Sequence, residues 1–317
     1  ELPAALGTNV PPTNNTDMKT YGWELQIGWR DQIGDFKYGA KLSLSDSQSK
    51  ILRYGNPTGS LSKYVEGELI GNIYGYTTIG IAKTDEEMQQ HLASLPNGGQ
   101  SALGSQWAAG DIMYADLNGD GKINNGSYTI NDMGDMKKIG NSTPRFMTGI
   151  NLDAAYKGWD LQMFWQGVLK RDWWPGDKNM TFWGVTDGEW WSTSFKEHLD
   201  YFRTSENPLG ENLNSYYPRP IFNTKNNKSQ TRYLQNAAYM RLKNIQVGYT
   251  FPKVWINKLM LQNLRIFVSG ENLLTITSLS DTMDPETCGA GYQSTEQANG
   301  TVYPLAKTIS FGLSVNF

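Results

Sequence analysis

Seven stretches of this chain place apolar residues at every second position, and the connections between them alternate between short and long. The stretches lie near residues 20–30, 36–46, 145–156, 159–168, 239–251, 264–276 and 305–317. A period of two divides the residues of a strand between its two faces. In the first stretch Trp23, Leu25, Ile27 and Trp29 oppose Glu24, Gln26, Gly28 and Arg30. In the last, Ile309, Phe311, Leu313, Val315 and Phe317 oppose Thr308, Ser310, Gly312, Ser314 and Asn316. Strands of about ten residues suit a membrane crossing better than the roughly 5–6 residues usual in soluble sheets.

The short connections are 31–35, 157–158 and 252–263, and the long ones are 47–144, 169–238 and 277–304. Short turns on one side and long loops on the other are the asymmetry of an outer-membrane barrel, with the long loops outside the cell. A soluble sandwich has no reason to alternate in this way and seldom carries such loops. The expected fold is therefore all-β: about seven antiparallel strands of a larger transmembrane barrel, with residues 1–317 forming one segment of it. Seven is odd, bacterial barrels close with even numbers, and an open edge in lipid is not tolerated. Strands from another piece of polypeptide are expected to complete the wall.

Composition excludes other classes. Mean hydropathy is −0.52, and no apolar run reaches the length of a membrane helix, about 18 residues. A net charge of −3 without a basic block argues against nucleic acid as a partner. The single cysteine, Cys288, allows no internal disulfide, and His91 and His198 are too few for a multi-histidine metal site. Neither a G-x-S-x-G, an H-E-x-x-H nor a phosphate-binding loop occurs, so no enzymatic activity is expected. Asp172 and Glu189 could form a glycosidase pair only if the fold brought them together, and His198 in "FKEHLDYF" reads as a packing residue.

Six segments resemble the SusC-like TonB-dependent transporters of bacterial outer membranes. They are "NPTGSLSKYVEGELIGNIYGY" (56–76), "GDIMYADLNGDGKI" (110–123), "IGNSTPRFMTGINLDAAYKGWDLQMFWQGV" (139–168), "YMRLKNIQVGYTFPK" (239–253), "LRIFVSGENLLTIT" (264–277) and "YPLAKTISFGLSVNF" (303–317). The resemblance implies the C-terminal part of a barrel of about 22 strands. It implies an N-terminal plug and barrel remainder, TonB acting through that missing part, and a SusD-like surface lipoprotein as lid. Dimers of transporter–lid pairs, surrounded by outer-membrane lipid, are expected as well. The cargo would be an oligosaccharide or a peptide, and no cofactor would be required. Ile309, Phe311, Leu313, Val315 and Phe317 would form the barrel assembly signal. A non-catalytic carbohydrate-binding surface protein and a passive porin are the alternatives.

Two loop motifs are candidate sites. In "DLNGDGKIN", Asp116, Asn118, Asp120, the Lys122 carbonyl and Asn124 occupy positions 1, 3, 5, 7 and 9 of a calcium loop, with Gly121 at the turn. Position 12 is Ser127, so the bidentate carboxylate is missing unless Asp132 or Asp135 folds back. A structural Ca2+ and a self-contained Asx turn network are both open readings. The second motif, 171–191, gathers Trp173, Trp174, Asp177, Trp183, Asp187, Trp190 and Trp191 as candidates for contact with substrate or lid. Tryptophan faces stack on sugar rings, carboxylates bond their hydroxyls, and the same rings can instead pack a loop core.

Overall fold

The computed structural model describes residues 14–289, 302 and 305–317. The third long connection, 277–304, thus falls partly outside the described residues. Seven strands form one antiparallel sheet in strict chain order. They are β1 (Asp17–Ile33), β2 (Phe36–Arg53), β3 (Arg145–Tyr156), β4 (Trp159–Lys170), β5 (Tyr239–Thr250), β6 (Asn263–Thr277) and β7 (Thr308–Asn316). Because neighbours in sequence are neighbours in space, β1–β2, β3–β4 and β5–β6 join at one end and the long connections all emerge at the other. The sheet remains open, with β1 and β7 as its edges. Among the described residues no helix is long and apolar enough to cross a membrane.

Pairing aligns the apolar residues into rows. One row runs Ile33, Phe36, Tyr156, Trp159, Tyr249, Ile266, Leu313 across all seven strands. Its four aromatic members sit at the turn end, with Phe36 and Tyr156 rings 6.5 Å apart and Trp159 and Tyr249 4.9 Å apart. On β2 the apolar set ends at Leu44, and Asp46 is next on that face, joined to Arg145. Phe36 to Leu44 covers about 27 Å along the strand, or about 20 Å once tilted by ~40°. That approaches the ~25 Å apolar band of an outer-membrane barrel and leaves the upper halves of β1 and β2 to project beyond it.

The opposite face is mainly polar, with the Phe164 and Phe267 rings among its side chains. Arg30 pairs with Asp153 at 3.6 Å, and Arg265 reaches Asp160, two strands away, at 2.6 Å. Gly248 lies beneath that second pair, where a Cβ would strike both side chains. Gly312 likewise lies beneath the Phe267 ring, which covers the bare backbone.

A bulge keeps the two faces distinct on β5. Simple alternation from Tyr249 through Val247 and Ile245 would carry Lys243 and Arg241 onto the apolar face. The register shifts between Leu242 and Asn244, and opposite it Asn272 adopts φ +53°. Met240 and Leu242 thereby join the apolar face, and Arg241 turns inward to Asp284 (2.8 Å) and Glu286 (3.0 Å). A bulge costs ladder hydrogen bonds locally, but it spares two cations an exposure to lipid.

Candidate ligand- and partner-facing site

The loops after β2 and β4 are not extended arms. Residues 54–144 and 171–238 pack into one folded unit at the loop end, and the buried apolar core of the described structure lies mostly there. Short ladders tie it together: 72–76 with 136–141, 78–81 with 112–114, and 172–173 with 235–236. A helix, α1 (Asp85–Ala93), begins at Thr84, whose side chain accepts from the Glu87 N–H, with three acidic residues in its first turn.

The two loops lock through buried charges. The Asp111 carboxylate receives Arg219 at 2.8 and 2.9 Å, Lys225 at 2.8 Å and the Asn226 amide at 2.9 Å. Lys225 is 3% exposed, also donates to the carbonyls of Ser105 and Gln106, and lies 4.5 Å over the Trp107 ring. Burial alone would raise the Asp111 pKa, but the hydrogen bonds from Arg219, Asn226 and Lys225 outweigh it and hold the carboxyl below its ordinary value. The Asn226 side-chain Oδ1 accepts from the Ile112 N–H, and Tyr114 donates its hydroxyl to the Lys225 backbone carbonyl. Nothing in the sequence marks these residues, which lie more than a hundred positions apart.

Against this frame the aromatic candidates divide. Trp173 and Trp183 are buried, so neither ring can meet a ligand. Trp183 packs against Phe182 (4.9 Å) and Tyr233 (4.7 Å) and donates its indole N–H to the Gly176 carbonyl. Trp174 is half-buried with its edge on Trp183. Asp187 is buried as well, accepting from the Glu189 N–H and the Ser192 hydroxyl, so it is a turn residue. Asp177 is half-buried and faces Lys228 at 3.4 Å. Only Trp190 and Trp191 stand free, 79% and 52% exposed, with ring centroids 5.2 Å apart. Phe195, Leu199 and Phe222 are also exposed on this loop.

The segment carrying those rings is anchored by His198. Its Nδ1 accepts the Phe195 N–H at 2.8 Å, so Nε2 must carry the proton that meets the Phe182 carbonyl at 3.1 Å. The imidazole lies flat on Gly184, at φ +50°, where any Cβ would collide with it. Burial lowers its pKa.

The Asp116 loop closes on itself. The Asp116 oxygens accept the Gly119 and Gly121 N–H groups, Asn118 accepts from Asp120, Asp120 from Lys122, and Asn124 from Gly126. Asp132 caps Ser127, and Asp135, fully buried, accepts from Leu117 and Asn124. Among the described residues no group of three or more His, Cys, Asp or Glu is placed to hold a metal ion. The side-chain oxygens of this loop are bonded to its own backbone N–H groups, the arrangement of an Asx network. Burial raises Asp135, with the Asp116 charge adding to it, while backbone N–H groups bring Asp116 down despite its own desolvation.

Of the residues expected to form an assembly signal, Ile309, Phe311 and Leu313 project from the apolar face of β7, with Val315 paired to Leu264 and Phe317 just beyond the strand end. Asp172 gives its carboxylate to the Asn141 N–H, so it belongs to the loop frame.

No family model matches the chain. Over its whole length it is 27% identical to TonB-dependent receptor P3 of Formosa agariphila and 23% identical to receptor P39 of the same organism. It spans 30% and 32% of those relatives, about a third of their length. Among solved structures, all of it superposes on 31% of a chain of the RagAB peptide transporter, with a TM-score of 0.67 and 19% identity. The open-open state of the RagAB peptide importer gives 0.61 and 18% over 30% of that chain. Along its full length the chain is thus similar to TonB-dependent receptors, proteins of the outer membrane, and it has the fold of about a third of a RagAB transporter chain, as a segment of their barrel has.

Proposed function

We propose that this segment supplies wall and extracellular loops to a receptor that imports an oligosaccharide or a peptide under TonB, with a SusD-like lipoprotein closing over the loops. The carrying observation is the Trp190–Trp191 pair, exposed above a rigid aromatic core at the end of the sheet where all long connections gather. Exposed aromatic clusters on a fixed frame are the usual anchors of a protein interface, and their faces also stack on sugar rings. In this role the lid seats on Trp190, Trp191 and Phe195, and the cargo is held between lid and loops. The segment performs no covalent chemistry. TonB engages the part of the receptor outside this chain.

The test is uptake and lid co-purification in cells carrying the full receptor with Trp190→Ala and Trp191→Ala. Both should fall by about tenfold or more at unchanged receptor abundance, as for loss of an interface anchor. Undiminished capture of the lid would remove these residues from the interface. Import that persists after collapse of the proton gradient would instead favour a passive porin.

A further inference from the structure

The connection from β5 to β6 is longer than closure requires. The other two turn-end connections are two-residue turns, whereas this one runs from Phe251 to Gln262. It carries a single helical turn at Lys253–Ile256 and a 3-10 turn at Asn257–Leu259. Ile256 is buried, and backbone bonds fix the flanks: Phe251 to the Leu264 carbonyl and Gln262 to the Asn316 carbonyl. Three of its apolar side chains point away from the protein: Val254 is 75% exposed, Trp255 58% and Met260 88%.

These residues continue the apolar face of the sheet. From the Trp159–Tyr249 contact the chain of rings passes to Phe251 at 5.1 Å and on to Trp255 at 6.3 Å. Phe251 lies two residues beyond Tyr249 and shares its outward side. Lys253 and Lys258 are exposed on the same connection, and Lys157 is exposed on the adjoining turn, 3.8 Å from Asp35, its neighbour Gly158 bonded to Thr250. Tryptophan at the level of the headgroups, with lysines reaching past it toward phosphate, is the composition of an interfacial anchor.

We propose that residues 252–262 lie in the headgroup region of the inner leaflet of the outer membrane and hold the rim of the barrel at that depth. The inference rests on the sheet's placement in the membrane. A second protein surface is a less fitting occupant, because the aromatic chain runs without a break from the lipid-facing row.

The test uses the full receptor in nanodiscs of phosphatidylethanolamine and phosphatidylglycerol. Val254→Cys is labelled with a polarity-sensitive dye under native conditions, in which Cys288 stays buried. Val268→Cys, within the apolar face, serves as control. The dye at 254 should be quenched by headgroup nitroxide lipids at least about twofold more than by chain-end nitroxides, as expected for an interfacial helix. Full quenching by aqueous iodide without quenching by either lipid would overturn the proposal, as would shielding from all three. If the dye at 268 is also blind to lipid nitroxides, the membrane placement itself fails, which is a separate result. Lys253→Glu with Lys258→Glu should reduce the headgroup signal at 254; no change would remove the lysines from the anchor.

Discussion

Lys225→Met tests the lock between the two long loops. The Lys225 side chain is 2% exposed and its ammonium lies 2.8 Å from Asp111, so the substitution removes a buried cation and leaves its carboxylate in place. Breaking such a pair costs about 3–5 kcal/mol. Asp111 keeps Arg219 and Asn226, which puts this variant near 3 kcal/mol on that scale. Asp111→Leu leaves the buried Lys225 ammonium with only the Ser105 and Gln106 carbonyls and no counter-charge, and should reach the upper end of the range. Arg219→Met should cost least, since Arg219 is partly exposed and Lys225 still neutralises the carboxylate. Amide exchange in the full receptor reads this locally at Ile112, whose N–H is bonded to Asn226. A loss of ~3 kcal/mol corresponds to exchange faster by about a hundredfold. If Lys225→Met accelerates exchange no more than Arg219→Met, the buried pair is not what joins the loops.

His198 makes the Trp190–Trp191 segment acid-sensitive. Its folded pKa lies below the ordinary histidine value, so its contribution is complete above about 6.5 and declines as pH falls toward the folded pKa. Protection of the Phe195 amide should fall over that window, and His198→Gln should abolish the pH dependence. Trp183→Ala should destabilise the loop unit by about 3–5 kcal/mol in denaturant unfolding, whereas Trp190→Ala should stay within about 0.5 kcal/mol. Because the Asp116 loop is bonded to its own N–H groups, chelation should leave Gly121 amide protection unchanged. Loss of protection on adding EDTA would return the loop to a calcium role.

The wall was legible because lipid on one side and polar lumen on the other impose a strict alternation. The C-terminal stretch from Ile309 and the hairpin at Lys157-Gly158 announce themselves in this way. Even the β5 bulge leaves a trace, in the parity change from Met240 and Leu242 to Ile245 and Val247, though reading it requires knowing that Lys243 is skipped. The loop unit was not legible. Its core comes from residues with no common period, and Trp173, Trp183 and Trp190 look alike in sequence although two are buried and one is free. Exposure there is decided by contacts between two loops separated by β3 and β4. The same holds for Asp111 and Lys225, and for Asp187, which looks like a ligand-facing carboxylate and serves as a turn acceptor.

The orientation of the sheet is the claim on which the rest depends, and site-specific labelling of intact cells tests it most directly. Asp35→Cys places a thiol at the β1–β2 turn, and Leu209→Cys places one on the exposed surface of the loop unit. A membrane-impermeant maleimide should modify the cysteine at 209 on intact cells and reach the one at 35 only after the outer membrane is permeabilised. Labelling at 35 on intact cells, with 209 protected until permeabilisation, would invert the barrel and contradict the account.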